Sequence, residues 1–169
     1  MNGIQKPDIQ TGQSIRFRLA VAADRPRLIP LINSAFSIET FLEGTLTDEA
    51  RLAATMEKGE ILLAEDPSGQ LLACVYTEVS GPRGYLGQLA VDPAHQGSGL
   101  ARRLVEAAED RFRSLGCQAV DINVLSLRPE LPPIYRRYGY IETGTEEFHM
   151  SQPLKTKAEC HCIVMSKKL

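Results

Sequence analysis

Residues 85–124 constrain the fold more than any other stretch of the chain. An apolar run from Tyr85 to Val91 gives way to Asp92-Pro93 and then to His95-Gln96-Gly97-Ser98-Gly99, after which a long amphipathic segment begins at once. From Ser98 to Leu115, the residues Leu100, Leu104, Val105, Ala108, Phe112 and Leu115 recur at helical spacing, while Arg102, Glu106, Glu109 and Arg113 fall outside that stripe. Gly116 ends the predicted helix, and Ala119 to Val124 is apolar enough to be a second strand. Two strands linked by a helical crossover lie parallel in one sheet. A chain with such a unit at its centre is a layered α/β protein.

The flanks extend this unit. Ile15 to Leu19 alternates apolar with charged residues, as a half-buried strand does. Asp24 is placed to cap a helix with Pro26 in its first turn and Leu28, Ile29, Leu31, Ile32 and Phe36 on its apolar side. After a loop over 37–46, a second helix is expected to open at Thr47 and close at Gly59. Strands 60–65 and 70–79 read as a hairpin around Asp66-Pro67-Ser68-Gly69, with a further turn at Gly81-Pro82-Arg83-Gly84. Beyond residue 124 come a proline-broken segment, a short helix ending at Tyr138, and strands over 140–148 and 159–166. The order β-α-α-β-β-β-α-β-α-β-β predicts a mixed α+β fold with six to seven strands and about four helices. Residues 1–14 read as a polar tail, and 15–169 as one folded domain.

Charge narrows the partners. Nineteen Lys and Arg against twenty-one Asp and Glu leave a net charge of −2, which disfavours a protein that coats nucleic acid or an anionic membrane. Met1 to Ser14 lacks the apolar stretch of a signal peptide, and no run approaches the roughly 18 apolar residues of a spanning helix. Four cysteines do not make a disulfide framework, so a cytoplasmic setting is expected. Cys160-His161-Cys162 reads as part of a strand, with thiols and imidazole on opposite faces, and no metal is expected there.

The loop before the long helix is the chemically informative segment. Small residues there let backbone N–H groups approach a ligand, and the helix N-terminus favours a phosphate or pyrophosphate. It is not an NTP loop, because no Lys follows Gly99. Nor is it a dinucleotide fingerprint, because Arg102 stands where the third glycine belongs. Gln96-Gly97-Ser98-Gly99-Leu100-Ala101 instead fills the Q/R-x-x-G-x-G/A signature of the GNAT N-acetyltransferase superfamily. Leu89-Ala90-Val91-Asp92-Pro93 resembles that family's fourth strand and turn, and Ile134-Tyr135-Arg136-Arg137-Tyr138-Gly139-Tyr140 is similar to its L-Y-x-x-x-G-F/Y segment.

The resemblance implies the GNAT fold and acetyl-CoA as co-substrate. It gives the pyrophosphate to the backbone of Gln96, Gly97, Ser98, Gly99, Leu100, Ala101 and Arg102. The pantetheine arm falls to the strand edge at Leu89, Ala90 and Val91, with the thioester in a gap between strands 85–91 and 119–124. Tyr135 takes the place of a tyrosine that protonates the departing thiolate. Its structural alternative is packing with Tyr138 and Tyr140.

Two positions depart from the family pattern. Arg128 stands where an Asn is common, and could reach a CoA phosphate, an acceptor carboxylate or only the loop it begins. Gln88 occupies a strand position where relatives use Glu or Asp; an amide cannot accept the proton, though it can hold a water that does. Glu78, Glu39, Glu43, His149 and His161 are alternative bases. Phe36, Glu39 and Glu78 are the candidate acceptor contacts. The function expected is acetyl transfer to a primary amine, first a small molecule, by direct attack in a ternary complex. The alternatives are a protein N-terminus or lysine as acceptor, and a CoA-binding sensor without turnover. A second copy of the chain is a candidate partner.

Overall fold

A computed structural model describes residues 14–38, 44–148 and 159–169. Its strands are β1 (Arg16–Leu19), β2 (Glu60–Glu65), β3 (Leu71–Ser80), β4 (Arg83–Val91), β5 (Ala119–Leu125), β6 (Ile141–Glu147) and β7 (His161–Lys168). They form one sheet in the order β1-β2-β3-β4-β5-β7-β6. Every neighbouring pair is antiparallel except β4 and β5, whose parallel pairing is the product of the crossover. The β2–β3 hairpin closes as expected: the Asp66 carboxylate accepts from Ser68 N–H at 2.9 Å, Ser68 Oγ at 2.6 Å and Gln70 N–H at 2.9 Å. The next turn is tighter than expected. Ser80 pairs with Arg83, so only Gly81 and Pro82 remain in it and Arg83 begins β4.

Four helices cover the sheet: α1 (Arg25–Ala35), α2 (Glu49–Lys58), α3 (Leu100–Ser114) and α4 (Leu131–Arg137). The apolar stripe of α3 (Leu104, Val105, Ala108 and Phe112) shares the larger core with Leu62, Val75, Leu86, Val120 and Ile122. Helices α1 and α2 bring Leu28, Ile32 and Leu52 onto Leu63, Cys74 and Tyr76 in a second core. Gly84 sets how closely α3 lies on β4, since a Cβ there would stand 2.6 Å from the Phe112 ring. Among the described residues, no helix is long and apolar enough to cross a membrane.

Several local expectations are corrected. Helix α2 is capped by Asp48, which accepts from Arg51 N–H at 2.9 Å; Thr47 is buried and donates its backbone N–H to Asn33. Asp24 precedes α1 without a capping hydrogen bond, because its carboxylate is taken by Val21 N–H, Arg18 and Arg27. That carboxylate and Glu65, 1% exposed, form one buried charge cluster with three arginines: Arg16 meets Glu65, and Arg18 and Arg27 meet both acids. The guanidiniums hold Asp24 well below the usual carboxylate range and bring Glu65 down to about 2.

Helix α3 starts at Leu100 rather than Ser98, since Gly99 takes a left-handed conformation. Leu115 is half exposed beyond its end, and Glu109, expected outside the stripe, is buried. Strand β7 runs from His161 to Lys168, two residues later than its apolar pattern implied. Its partner decides: β5 pairs with it from Leu125↔Cys162 to Ala119↔Lys168, which leaves Cys160 outside the strand. Pro132 and Pro133 do not interrupt α4. They lie in its first turn, where a missing N–H costs nothing.

Candidate active site

The sheet opens along one line. Strands β4 and β5 pair over Arg83–Leu86 and Ala119–Ile122, and the ladder stops there, so Gly87 to Val91 run on without β5 beside them. On its other edge β4 carries a bulge. Gly87 pairs with Tyr76 and Ala90 with Cys74, which leaves Gln88 and Leu89 opposite Val75 alone. Gln88 has φ +47°, the only non-glycine residue with positive φ among those described. A bulge of this kind turns backbone polar groups out of the ladder, and strained residues cluster at ligand sites. Gln88 itself is exposed.

The groove runs into the glycine loop. Asp92 fixes the turn by accepting from Ala94 N–H at 2.9 Å, Ser98 Oγ donates to the His95 carbonyl at 2.6 Å, and Gln96 Nε2 donates to the Val91 carbonyl at 3.3 Å. Gly97 and Gly99 have φ of +79° and +80°, and a Cβ on either would meet open space. They are glycines for their backbone conformation, and the space before them is open. The first N–H groups of α3, from Leu100 to Arg102, have no partner within the helix and face the same space with the positive end of its dipole. This cradle suits the pyrophosphate of a CoA ester. The Arg102 side chain is turned to Glu106 at 3.0 Å, which leaves its backbone for the anion.

Across the gap, Tyr135 is fixed by two neighbours. Its ring stands edge-on to Tyr138 and Tyr140, with centroids 6.0 Å away from each. Among the described residues its hydroxyl has no hydrogen-bond partner. Burial pushes the phenol up to about 12, Tyr138 adds to that, and Arg128 pulls the other way. Arg128 therefore sits on the Tyr135 side of the site, where it bonds Glu130 at 2.5 Å.

A concavity of about 450 Å³ opens on the sheet face opposite α3, its walls including Tyr85, Asp121, Asn123, Thr143, Glu146 and Val164. Burial raises the Tyr85 phenol, helped by Glu146 and Glu78. Glu78 is exposed and accepts from Tyr76 Oη at 2.7 Å, and the Tyr76 and Tyr85 rings meet at 6.4 Å.

The model of the Acetyltransferase (GNAT) family matches residues 26–140. The chain belongs to this family. Among GNAT relatives, "Probable glucosamine 6-phosphate N-acetyltransferase 2" of Oryza sativa subsp. japonica is 30% identical over 149 residues, covering 81% of this chain and 88% of that protein. The mycothiol acetyltransferase of Propionibacterium freudenreichii subsp. shermanii is 32% identical over 90 residues, 51% of this chain, and the match spans only 29% of that longer protein. Among solved structures, yncA of Salmonella typhimurium with its cofactor acetyl-CoA superposes with a TM-score of 0.71 at 20% identity, covering 92% of this chain and 94% of that one; it shows the shared GNAT fold.

The sequence-predicted GNAT residues fall into three groups. Leu89, Ala90 and Val91 lie on the length of β4 that β5 leaves uncovered, and Gln96 to Arg102 lie on the loop and the start of α3. Gln88 stands at the β4 bulge, Tyr135 lies on α4 with Arg128 just before that helix, and Glu78 is on β3 opposite Tyr85; none of these four lines the concavity. Phe36 is half-buried at the end of α1 against the second core. Glu39, Glu43 and His149 lie outside the described residues, and His161 is exposed at the start of β7. Tyr76, Tyr85 and Asn123 were not singled out. Strand alternation could have found the two tyrosines, because Tyr76 and Glu78 share a face and Tyr85 pairs opposite Glu78.

Proposed function

We propose that this GNAT protein is an acetyl-CoA-dependent N-acetyltransferase whose acceptor is a small-molecule primary amine. One observation carries the reading: β4 leaves β5 at Leu86, bulges at Gln88, and ends in the glycine loop. An extended thioester can lie along that edge with its pyrophosphate at α3. In this reading the N–H groups of Gly97 to Arg102 hold the pyrophosphate, and the edge of Leu89, Ala90 and Val91 takes the amide arm in the manner of an added strand. The thioester supplies the acetyl group. A backbone N–H freed at the bulge polarises its carbonyl, and a neutral amine attacks.

Tyr135 then presents its hydroxyl to the departing sulfur. Gln88 orients the amine or a water that takes its proton. Glu78 is the carboxylate assigned to the acceptor, and its bond from Tyr76 fixes its position. Phe36 and Glu39 belong to the acceptor side, and Arg128 steadies the Tyr135 end. The acetyltransferase unit comprises residues 15–169, in a cytoplasmic protein with no metal requirement.

A small acceptor is supported by the volume of the concavity and the polar groups in its walls, and by the relative whose name specifies an amino-sugar phosphate. The test is release of CoA thiol from acetyl-CoA across a panel of polyamines, amino sugars, amino acids and peptides. Acceleration by one small amine class is expected. Binding of acetyl-CoA without acceleration by any amine would leave a sensor, and acceleration by peptides alone would move the acceptor to a protein.

A further inference from the structure

The buried carboxylate of Glu109 has no part in the reading above, yet it lies behind the tyrosine that does. Glu109 is 2% exposed. One oxygen accepts from Tyr140 Oη at 3.0 Å and the other from Lys167 Nζ at 2.9 Å, with Arg113 at the looser distance of 3.9 Å. The same Lys167 ammonium donates to the Tyr138 carbonyl at 2.9 Å and stands 5.8 Å above the Tyr140 ring. The two rings edge-on to Tyr135 therefore belong to residues tied to one ion pair, its carboxylate buried and its ammonium partly exposed.

The backbone tightens the arrangement. Both Tyr138 and Tyr140 donate their N–H groups to the Tyr135 carbonyl at 3.0 Å. Between them Gly139, at φ +97°, lets the chain reverse over Lys167; a Cβ there would stand 3.2 Å from Lys167 Cε. Helix α3, the turn after α4 and strand β7 thus meet at one carboxylate. A buried ion pair is a poor source of stability, because apolar residues of the same volume do as well. Its value lies in allowing one arrangement of the groups around it.

We propose that Glu109 and Lys167 are positioning residues that hold Tyr135 in its reactive orientation through Tyr138 and Tyr140. This rests on the assignment of Tyr135 as the residue facing the departing sulfur. Neither charged group reaches the reactants, so the pair acts through geometry.

The experiment uses the full chain. The double variant Glu109→Gln/Lys167→Met removes both charges together and avoids an orphaned buried ion; Tyr140→Phe removes only the hydroxyl contact and keeps the ring. With acetyl-CoA and the best amine of the panel, the double variant is expected to lose about tenfold in kcat with the acetyl-CoA KM nearly unchanged. In a Tyr135→Phe background the same change should have no further effect, and Tyr140→Phe should show a smaller loss of the same pattern. Equal losses in both backgrounds would overturn the proposal, since a scaffold defect acts whatever stands at 135.

A second readout needs no turnover. In the free protein labelled with ring-¹³C tyrosine, the Tyr135 signal is assigned by its absence in Tyr135→Phe. It should shift or broaden in the double variant, and an unchanged signal would overturn the positioning role. Absence of turnover with every amine would count against the acetyltransferase reading, while this signal still decides the role of the pair.

Discussion

Removing one oxygen atom, by Tyr135→Phe, tests the chemistry most directly. Burial raises the phenol to about 12, whereas an ordinary thiol titrates near 8.5. Full proton transfer to a free thiolate would then be uphill by about 5 kcal/mol, so in the proposed mechanism Tyr135 would serve as a hydrogen-bond donor to a sulfur that is gaining charge. Such a bond to a charged group is worth about 1.5–3 kcal/mol, or roughly ten- to 150-fold in kcat.

Because the hydroxyl has no partner among the described residues, its loss should leave the melting temperature and the acetyl-CoA KM nearly unchanged. The assay is thiol release with the accepting amine from about pH 6 to about pH 10. Wild-type activity should rise as the amine loses its proton and show no decline from ionisation of Tyr135, which stays protonated throughout. Unchanged turnover in Tyr135→Phe would refute the assignment. A basic limb near pH 10 that vanishes in the variant would refute the argument from burial.

Other perturbations test separate parts. Gly99→Glu should abolish acetyl-CoA binding in a thermal-shift titration, while Gly99→Ala, strained by about 1–2 kcal/mol at φ +80° but free of clashes, should weaken it and leave the fold intact. At the bulge, Gln88→Gly should preserve or raise stability, whereas the β-branched Gln88→Val should cost about 1 kcal/mol or more and lower kcat; equal behaviour of the two would deny that the positive φ matters. Glu65 titrates at about 2 against an ordinary 4.5, so its charge stabilises the fold above that ordinary value by at most about 3 kcal/mol. This contribution fades as pH falls from about 5 towards 2. The stability gap between wild type and Glu65→Gln should therefore narrow on acidification, and parallel curves would show that the cluster does not hold this carboxylate down.

The central crossover was legible in the sequence because it is dictated locally. A strand ending at Asp92-Pro93, two glycines and a strong helical stripe leave little choice of topology. The glycine loop was legible for the same reason, since its shape depends on residues next to one another. What escaped was set by partners far along the chain. Glu109 lies outside the apolar stripe by type, and its two hydrogen bonds come from Tyr140 and Lys167, 31 and 58 residues further along the chain. Asp24 resembles a helix cap until Arg18 and Arg27 claim it. The limits of β7 come from the length of β5, and the bulge at Gln88 comes from its register against β3. Tyr76 and Tyr85 meet only because two antiparallel strands bring them to one face.

The short ladder between β4 and β5 has a mechanical consequence. Among the described residues, the strand ladder between β1–β4 and the part of the sheet formed by β5, β7 and β6 is four residue pairs long, Arg83–Leu86 against Ala119–Ile122, with one further bond from Gln118 N–H to the Pro82 carbonyl at its end. Leu104 and Ala108 of α3 share one core with Leu86 and Ile122 from either side of this join. The width of the opening is thus a packing variable.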